Sequence, residues 1–206
     1  MDLILIALIT IIIARYLIQN IIRMLCNAEN GMCTSQNYKG KAIPVIGGIV
    51  FIPVQLVAIL QLMLQRPEHS YSYSSYMLLL LSMGFAGVID DLTGDRTIKG
   101  LVNHVRSTLK NNMTTGFLKA LIGFTAACII SLRTAGSFVE LIINVLLITL
   151  YANTINLFDM RPGRAVKVFL TMAIILLFST EGRLAEALPL IIFVLTAIIY
   201  ISYDLR

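Results

Sequence analysis

Charge is what this sequence has least of. Asp, Glu, Lys and Arg make up 13% of the 206 residues, against 58% apolar residues and a mean hydropathy of +0.86. Soluble domains carry about a quarter charged residues, so this balance places most of the chain in lipid. Alternation is missing as well. Barrel strands alternate apolar and polar residues, whereas the apolar runs here are continuous. Helices then remain as the way to satisfy every backbone group in hydrocarbon.

Cysteine is scarce. Cys26, Cys33 and Cys128 match no zinc-ligand spacing, and the first two fall in a segment assigned below to the cytosol, where thiols stay reduced. The N-terminus lacks the basic flank and small-x-small cleavage site of a signal peptide. Met1-Asp2 leads directly into the apolar stretch Leu3–Ile22, which at ~1.5 Å per residue can cross a ~30 Å core and reads as a retained helix. No internal repeat, heptad or low-complexity tract is visible.

What the chain does have is seven apolar runs: Leu3–Ile22, Ile43–Leu64, Tyr76–Ile89, Thr115–Leu132, Phe138–Phe158, Ala165–Ser179 and Ala187–Tyr203. They predict an all-α, polytopic transmembrane helical bundle of about seven helices, a single integral-membrane domain over residues 1–206. The third and sixth runs are short for a full span, so tilt or continuation into a polar loop is expected. Between the second and third runs, Gln65–Ser75 reads as a solvated connection, with Tyr71, Tyr73 and Tyr76 as interfacial aromatics.

Orientation follows the basic residues. One set of loops holds Arg23, Lys39, Lys41, Arg96, Lys99, Arg106, Lys110, Arg161, Arg164, Lys167 and Arg206. The other holds Arg66, Arg133 and Arg183, while Arg15 and Lys119 lie within runs. Eleven against three puts the N-terminus outside and the C-terminus in the cytosol. The net charge of +5 therefore marks a cytosolic face able to meet anionic lipid, and not a nucleic-acid site.

Four segments carry candidate chemistry. In Gly84-Phe85-Ala86-Gly87-Val88-Ile89-Asp90-Asp91 an apolar helix ends on two carboxylates. A helix C-terminus carries partial negative charge, so the acids need compensation by a divalent cation or by nearby Lys and Arg. Asp95, Arg96, Lys99, Arg106 and Lys110 follow, a set that suits a magnesium–pyrophosphate ligand. The plain alternative is a pair of interfacial acids in water.

Asn153, Asn156 and Asp159 are spaced three apart at the end of the fifth run and share a side if the helix persists. Amides in such segments also serve as interhelical glue. Met160-Arg161-Pro162-Gly163-Arg164 follows. Pro and Gly stop the helix, and two guanidiniums beside a carboxylate make a phosphate-binding turn.

Lys39-Gly40-Lys41-Ala42-Ile43-Pro44-Val45-Ile46-Gly47-Gly48 combines a proline suited to a first helical turn with glycines that admit close approach of a ligand or of another helix. In Thr114-Thr115-Gly116-Phe117-Leu118-Lys119 the lysine either snorkels to the interface or faces the other candidates. His104 reads as a solvated loop residue.

In order, these segments resemble the polyprenyl-phosphate N-acetylhexosamine-1-phosphate transferase family. That pattern runs Lys/Pro-x-x-Gly-Gly, Asp-Asp after the third helix, Lys-Gly-Leu, Gly-x-x-Lys and Asn-x-x-Asn-x-x-Asp. Here the matching segments are Pro44 to Gly48, Asp90-Asp91, Lys99-Gly100-Leu101, Gly116 to Lys119, and Asn153 to Asp159. The resemblance implies an enzyme that joins polyprenyl phosphate to the β-phosphorus of a UDP-N-acetylhexosamine and releases UMP.

It also implies roles. Asp90, Asp91 and Asp159 would serve catalysis and hold Mg²⁺. Lys41, Lys99, Lys119, Asn153, Asn156, Arg161 and Arg164 would bind substrate. The implied setting is the cell membrane, with active loops in the cytosol, membrane lipid as surroundings and a second copy of the chain as a further candidate partner.

Two departures stand out. Gly-Leu-Asp-Gly after the last Asp is replaced by Met160-Arg161-Pro162-Gly163, which resembles a divergent subgroup and makes muramoyl-pentapeptide a poorer donor. The family continues into Gly-Asp-x-Gly-Ser, further helices and a His-rich loop, whereas the sequence ends at Tyr203-Asp204-Leu205-Arg206. This C-terminally short form would lack one metal ligand. The alternatives are therefore a non-catalytic relative that binds nucleotide-sugar, lipid phosphate or a partner, and, more distantly, a small transporter using Asp90 and Asp91 as an ion relay. Transporters place such acids near the midplane within inverted repeats, and neither feature is seen here.

Overall fold

The computed structural model describes residues 3–28, 33–36, 40, 42–93, 113–159, 161–179 and 184–205. Each apolar run is a helix: α1 Leu3–Cys26, α2 Phe51–Gln65, α3 Ser70–Thr93, α4 Thr115–Thr134, α5 Phe138–Phe158, α6 Arg164–Phe178 and α7 Leu184–Asp204. Six segments are long and apolar enough to cross a bilayer: Leu5–Cys26, Gly47–Gln65, Pro67–Thr93, Thr115–Thr134, Phe138–Phe158 and Ala187–Asp204. The helix α6 is not among them. Its 15 residues extend roughly 22 Å at the ordinary helical rise, less than the ~30 Å hydrocarbon core.

Two boundaries differ from expectation. The helix α3 begins at Ser70, so the supposed loop is largely its first turns. Ser74 and Ser75 donate their hydroxyls to the carbonyls of Ser70 and Tyr71, at 2.8 and 3.1 Å, which removes the polar side chains from competition for water. Tyr73 is buried rather than interfacial. The same helix runs on to Thr93, so Asp90 and Asp91 lie in its last turn and not beyond it.

Pro44 also falls outside a helix. It ends a short strand β2 (Ala42–Pro44) that pairs antiparallel with β1 (Thr34–Gln36), Ser35 opposite Ile43. A two-stranded edge tolerates a residue without an N–H. The chain then enters α2 through a 3-10 turn over Gly47–Val50. Gly47 is buried there, and a Cβ on it would lie 2.5 Å from Tyr200 Oη, so this glycine serves close packing against α7. Cys26, Cys33 and Cys128 are free thiols.

Contacts divide the chain into two compact units: Met1–Met77 with Thr154–Arg206, and Leu78–Asn153. In the first, α7 packs on α1, α2 and α6. One core cluster gathers Ile6, Ala58, Ile59, Leu62, Tyr73, Leu188 and Ile192. A second gathers Ala14, Ile18, Val50 and Val54. Phe193 joins α2 to α6, stacked on Phe51 at 4.8 Å and edge-on to Phe169 at 5.0 Å. Lipid tails are as apolar as these side chains, so packing and internal hydrogen bonds hold such helices together, not expulsion from water. The buried Gln55 on α2 supplies two of those bonds, donating to Thr196 Oγ1 at 3.0 Å and accepting from Tyr76 Oη at 2.9 Å.

The second unit is built on small residues. Among the described residues, Ala86, Ala126, Ala127 and Ser131 are its buried positions together with Val145, and short side chains let helix backbones come close. Large apolar side chains elsewhere on α4 and α5 face outward, Phe138 and Leu132 among them, as lipid contact requires. The start of α5 is set locally. Ser137 Oγ accepts the Glu140 N–H at 3.2 Å, and the Glu140 carboxylate accepts the Gly136 N–H at 2.8 Å. Substituting Ser137 by Ala is expected to lower stability by about 1 kcal/mol, with faster amide exchange confined to the first turn of α5. Unchanged exchange there would show that the cap carries no weight.

Candidate functional site

Within the second unit, two segments singled out separately in the sequence meet. Asp90, in the last turn of α3, lies 3.5 Å from Lys119 Nζ near the start of α4. The pairing follows from the ends of the helices. An acid at a helix C-terminus and a base at an N-terminus are each disfavoured by their own macrodipole. Bringing them together sets the carboxylate near the positive end of α4 and the ammonium near the negative end of α3, so each finds a complementary field. Thr114 caps α4, accepting the Phe117 N–H at 3.2 Å, and so fixes where Lys119 emerges.

The Lys119 and Asp90 side chains are 23% and 31% exposed. At that exposure the pair contributes about 0.5 kcal/mol to stability, so its interest is chemical more than structural. Asp91 is exposed on the next position of α3. Asn153 is exposed on α5 in the same unit.

The other candidates lie in the first unit. The helix α5 persists through Phe158, so Asn156 lies one turn after Asn153, and Asp159 opens the turn that follows. The Asp159 N–H donates to the Asn156 carbonyl at 3.3 Å. Arg161 and Pro162 lie in the turn before α6, and Gly163 adopts φ +73° at its head. The Arg164 N–H closes this turn on the Arg161 carbonyl at 3.1 Å. Asp159, Arg161, Arg164 and Lys167 are all exposed, giving one acid and three bases on a short stretch.

One residue of this turn's surroundings went unread in the sequence. Asp204, at the end of α7, accepts the Gly163 N–H at 2.7 Å. The signal was present. It is an acid at the C-terminal end of an apolar helix, the same feature that singled out Asp90 and Asp91.

Lys41 and Lys99 lie outside the described residues, as do Lys39, Asp95, Arg96, His104, Arg106 and Lys110. Among the described residues, no three His, Cys, Asp or Glu side chains form a group that could hold a metal ion. What the end of α3 offers is carboxylate oxygen from two consecutive acids. That donor set suits Mg²⁺, a hard ion usually bound by one or two carboxylates while substrate phosphates and water complete its shell. Set against models of known protein families, against curated proteins and against solved structures, the chain matches none.

Proposed function

We propose that this chain is a membrane-embedded transferase that moves N-acetylhexosamine 1-phosphate from a UDP-sugar to polyprenyl phosphate. The observation that carries the reading is the meeting of Asp90 with Lys119. A carboxylate held beside an ammonium at a helix-end boundary, with a second carboxylate adjacent, is what a diphosphate substrate and its counter-ion need. On this reading the N-terminus lies outside, the C-terminus lies in the cytosol, and both clusters of candidates face the cytosol of the cell membrane.

The chemistry balances as a single displacement. An oxygen of the lipid phosphate attacks the β-phosphorus, the bond from that phosphorus to the bridging oxygen breaks, and UMP departs with the bridging oxygen. Asp91 takes any proton remaining on the lipid phosphate. Lys119 neutralises charge that grows on the transferring group, and Asp90 holds the lysine in place. In the first unit, Asn156, Asp159, Arg161 and Arg164 carry the binding roles that the resemblance implies. Mg²⁺ held by Asp90 and Asp91 would supply Lewis-acid charge neutralisation to the diphosphate. Phosphoryl transfer is mainly a matter of alignment and charge stabilisation, and those are the contributions these residues would make.

The test uses the purified chain with UDP-N-acetylglucosamine and undecaprenyl phosphate in detergent, with UMP measured directly. UMP release that requires both substrates and Mg²⁺ is expected. Lys119→Met is expected to slow it by about a hundredfold, the usual effect of removing one donor to developing charge. Binding of the UDP-sugar without UMP release would favour a non-catalytic relative. Binding of neither substrate would end the transferase reading.

A further inference from the structure

We infer that Asp204 is a positioning residue that holds the arginine turn at the head of α6 in its binding form; the role rests on the transferase reading, which gives Arg161 and Arg164 to substrate binding. From within, the backbone bond from the Arg164 N–H to the Arg161 carbonyl closes the turn. Its head, Gly163, makes no side-chain cap for α6 and adopts a left-handed conformation, φ +73°, that a residue with a Cβ rarely takes. Asp204 at the end of α7 and Leu205 just after it hold the turn as well. The Asp204 carboxylate accepts the Gly163 N–H at 2.7 Å. The Leu205 side chain fills the space where a Cβ on Gly163 would stand.

The electrostatics give this contact a direction. Asp204 lies at the C-terminal end of α7, where its charge opposes the helix dipole, and the Asp159 carboxylate repels it further. The N–H at the head of α6, where the dipole is positive, relieves that strain. A hydrogen bond to an ionised acceptor is roughly twice as strong as a neutral one. Arg161 and Arg164 flank Gly163 and are exposed, so fixing the Gly163 amide fixes the backbone from which both guanidiniums extend. Nothing in the geometry requires Asp204 to touch substrate.

The experiment compares the full chain with Asp204→Ala and Asp204→Asn in lipid nanodiscs. It follows amide exchange over residues 161–167 and the Kd for UDP-N-acetylglucosamine. In Asp204→Ala, exchange at Gly163 is expected to rise about tenfold and the Kd to rise about tenfold, the size of one lost charge-assisted bond. The melting temperature should fall by no more than about 5 °C, the size of that one bond. Asp204→Asn keeps an acceptor oxygen and should restore both quantities to within about threefold of the unsubstituted chain.

Unchanged exchange in Asp204→Ala would show that the latch does not operate. Faster exchange with an unchanged Kd would reduce Asp204 to a structural cap and overturn the positioning role alone. No binding by the unsubstituted chain would overturn the transferase reading, and this role with it. Should the Ala variant not fold, Asp204→Ser, whose hydroxyl stops short of the Gly163 N–H, carries the same expectations.

Discussion

Asp91→Asn is expected to lower UMP release from UDP-N-acetylglucosamine and undecaprenyl phosphate by about a thousandfold, the middle of the range for loss of a general base. Asp91 is exposed at the end of α3, so an amide of nearly the same shape fits without repacking. The variant should therefore elute and melt as the unsubstituted chain does. The loss has two sources. An amide accepts no proton at neutral pH, and it is a weaker ligand for Mg²⁺ than a carboxylate. Raising the Mg²⁺ concentration separates them, because saturating metal recovers activity only if the metal contact is what was lost. Turnover unchanged in a folded Asp91→Asn protein would remove Asp91 from the mechanism. A chain that conducts protons or ions through the Asp90–Asp91 pair would instead show a flux defect in vesicles with no UMP release before or after the substitution.

The second large effect falls on stability. Gln55 is fully buried, and its amide ties α2 to Thr196 on α7 and to Tyr76 on α3, with Thr196 donating onward to the Ile192 carbonyl at 2.9 Å. Gln55→Ala removes both bonds and leaves a void among close-packed helices. The bonds contribute about 1 kcal/mol between them by the averages found for interhelical hydrogen bonds. The void adds about 2 kcal/mol, for an expected loss of about 3 kcal/mol. Gln55→Leu refills most of the volume and should lose only the first part. Unfolding by titration with a denaturing detergent measures both. Equal, small losses in the two variants would show that neither the amide bonds nor the packing at this position matters.

Much of the architecture is legible in the order of residues. Continuous apolar runs allow nothing but helices in lipid, and all seven runs are helices. The capping residues at the start of α5 lie within four positions of one another, so that boundary is local and was read correctly. The errors are of another kind. Ser70–Ser75 looked like a loop because Ser and Tyr are polar. In the fold, the serines bond back into their own helix and Tyr73 is buried in the first core cluster, a choice that depends on partners far away in sequence. Pro44 looked like a helix start because its own backbone permits one, and the pairing with β1 decided otherwise.

The candidate site divides in the same way. Composition, apolar spacing and the position of acids and bases at run ends determined that this is a helical membrane protein with its charge gathered at helix boundaries. They also picked out Asp90 as an acid at the wrong end of a helix, Lys119 as a base just inside an apolar run, and Asp159 by the Arg161–Arg164 turn that follows it. Which anomaly answers which was decided by tertiary structure alone. Asp90 finds Lys119 across 29 positions and Asp204 finds Gly163 across 41. A linear sequence shows that a charge needs a counterpart, but only packing brings Lys119 Nζ within 3.5 Å of Asp90 Oδ2 and so names the counterpart.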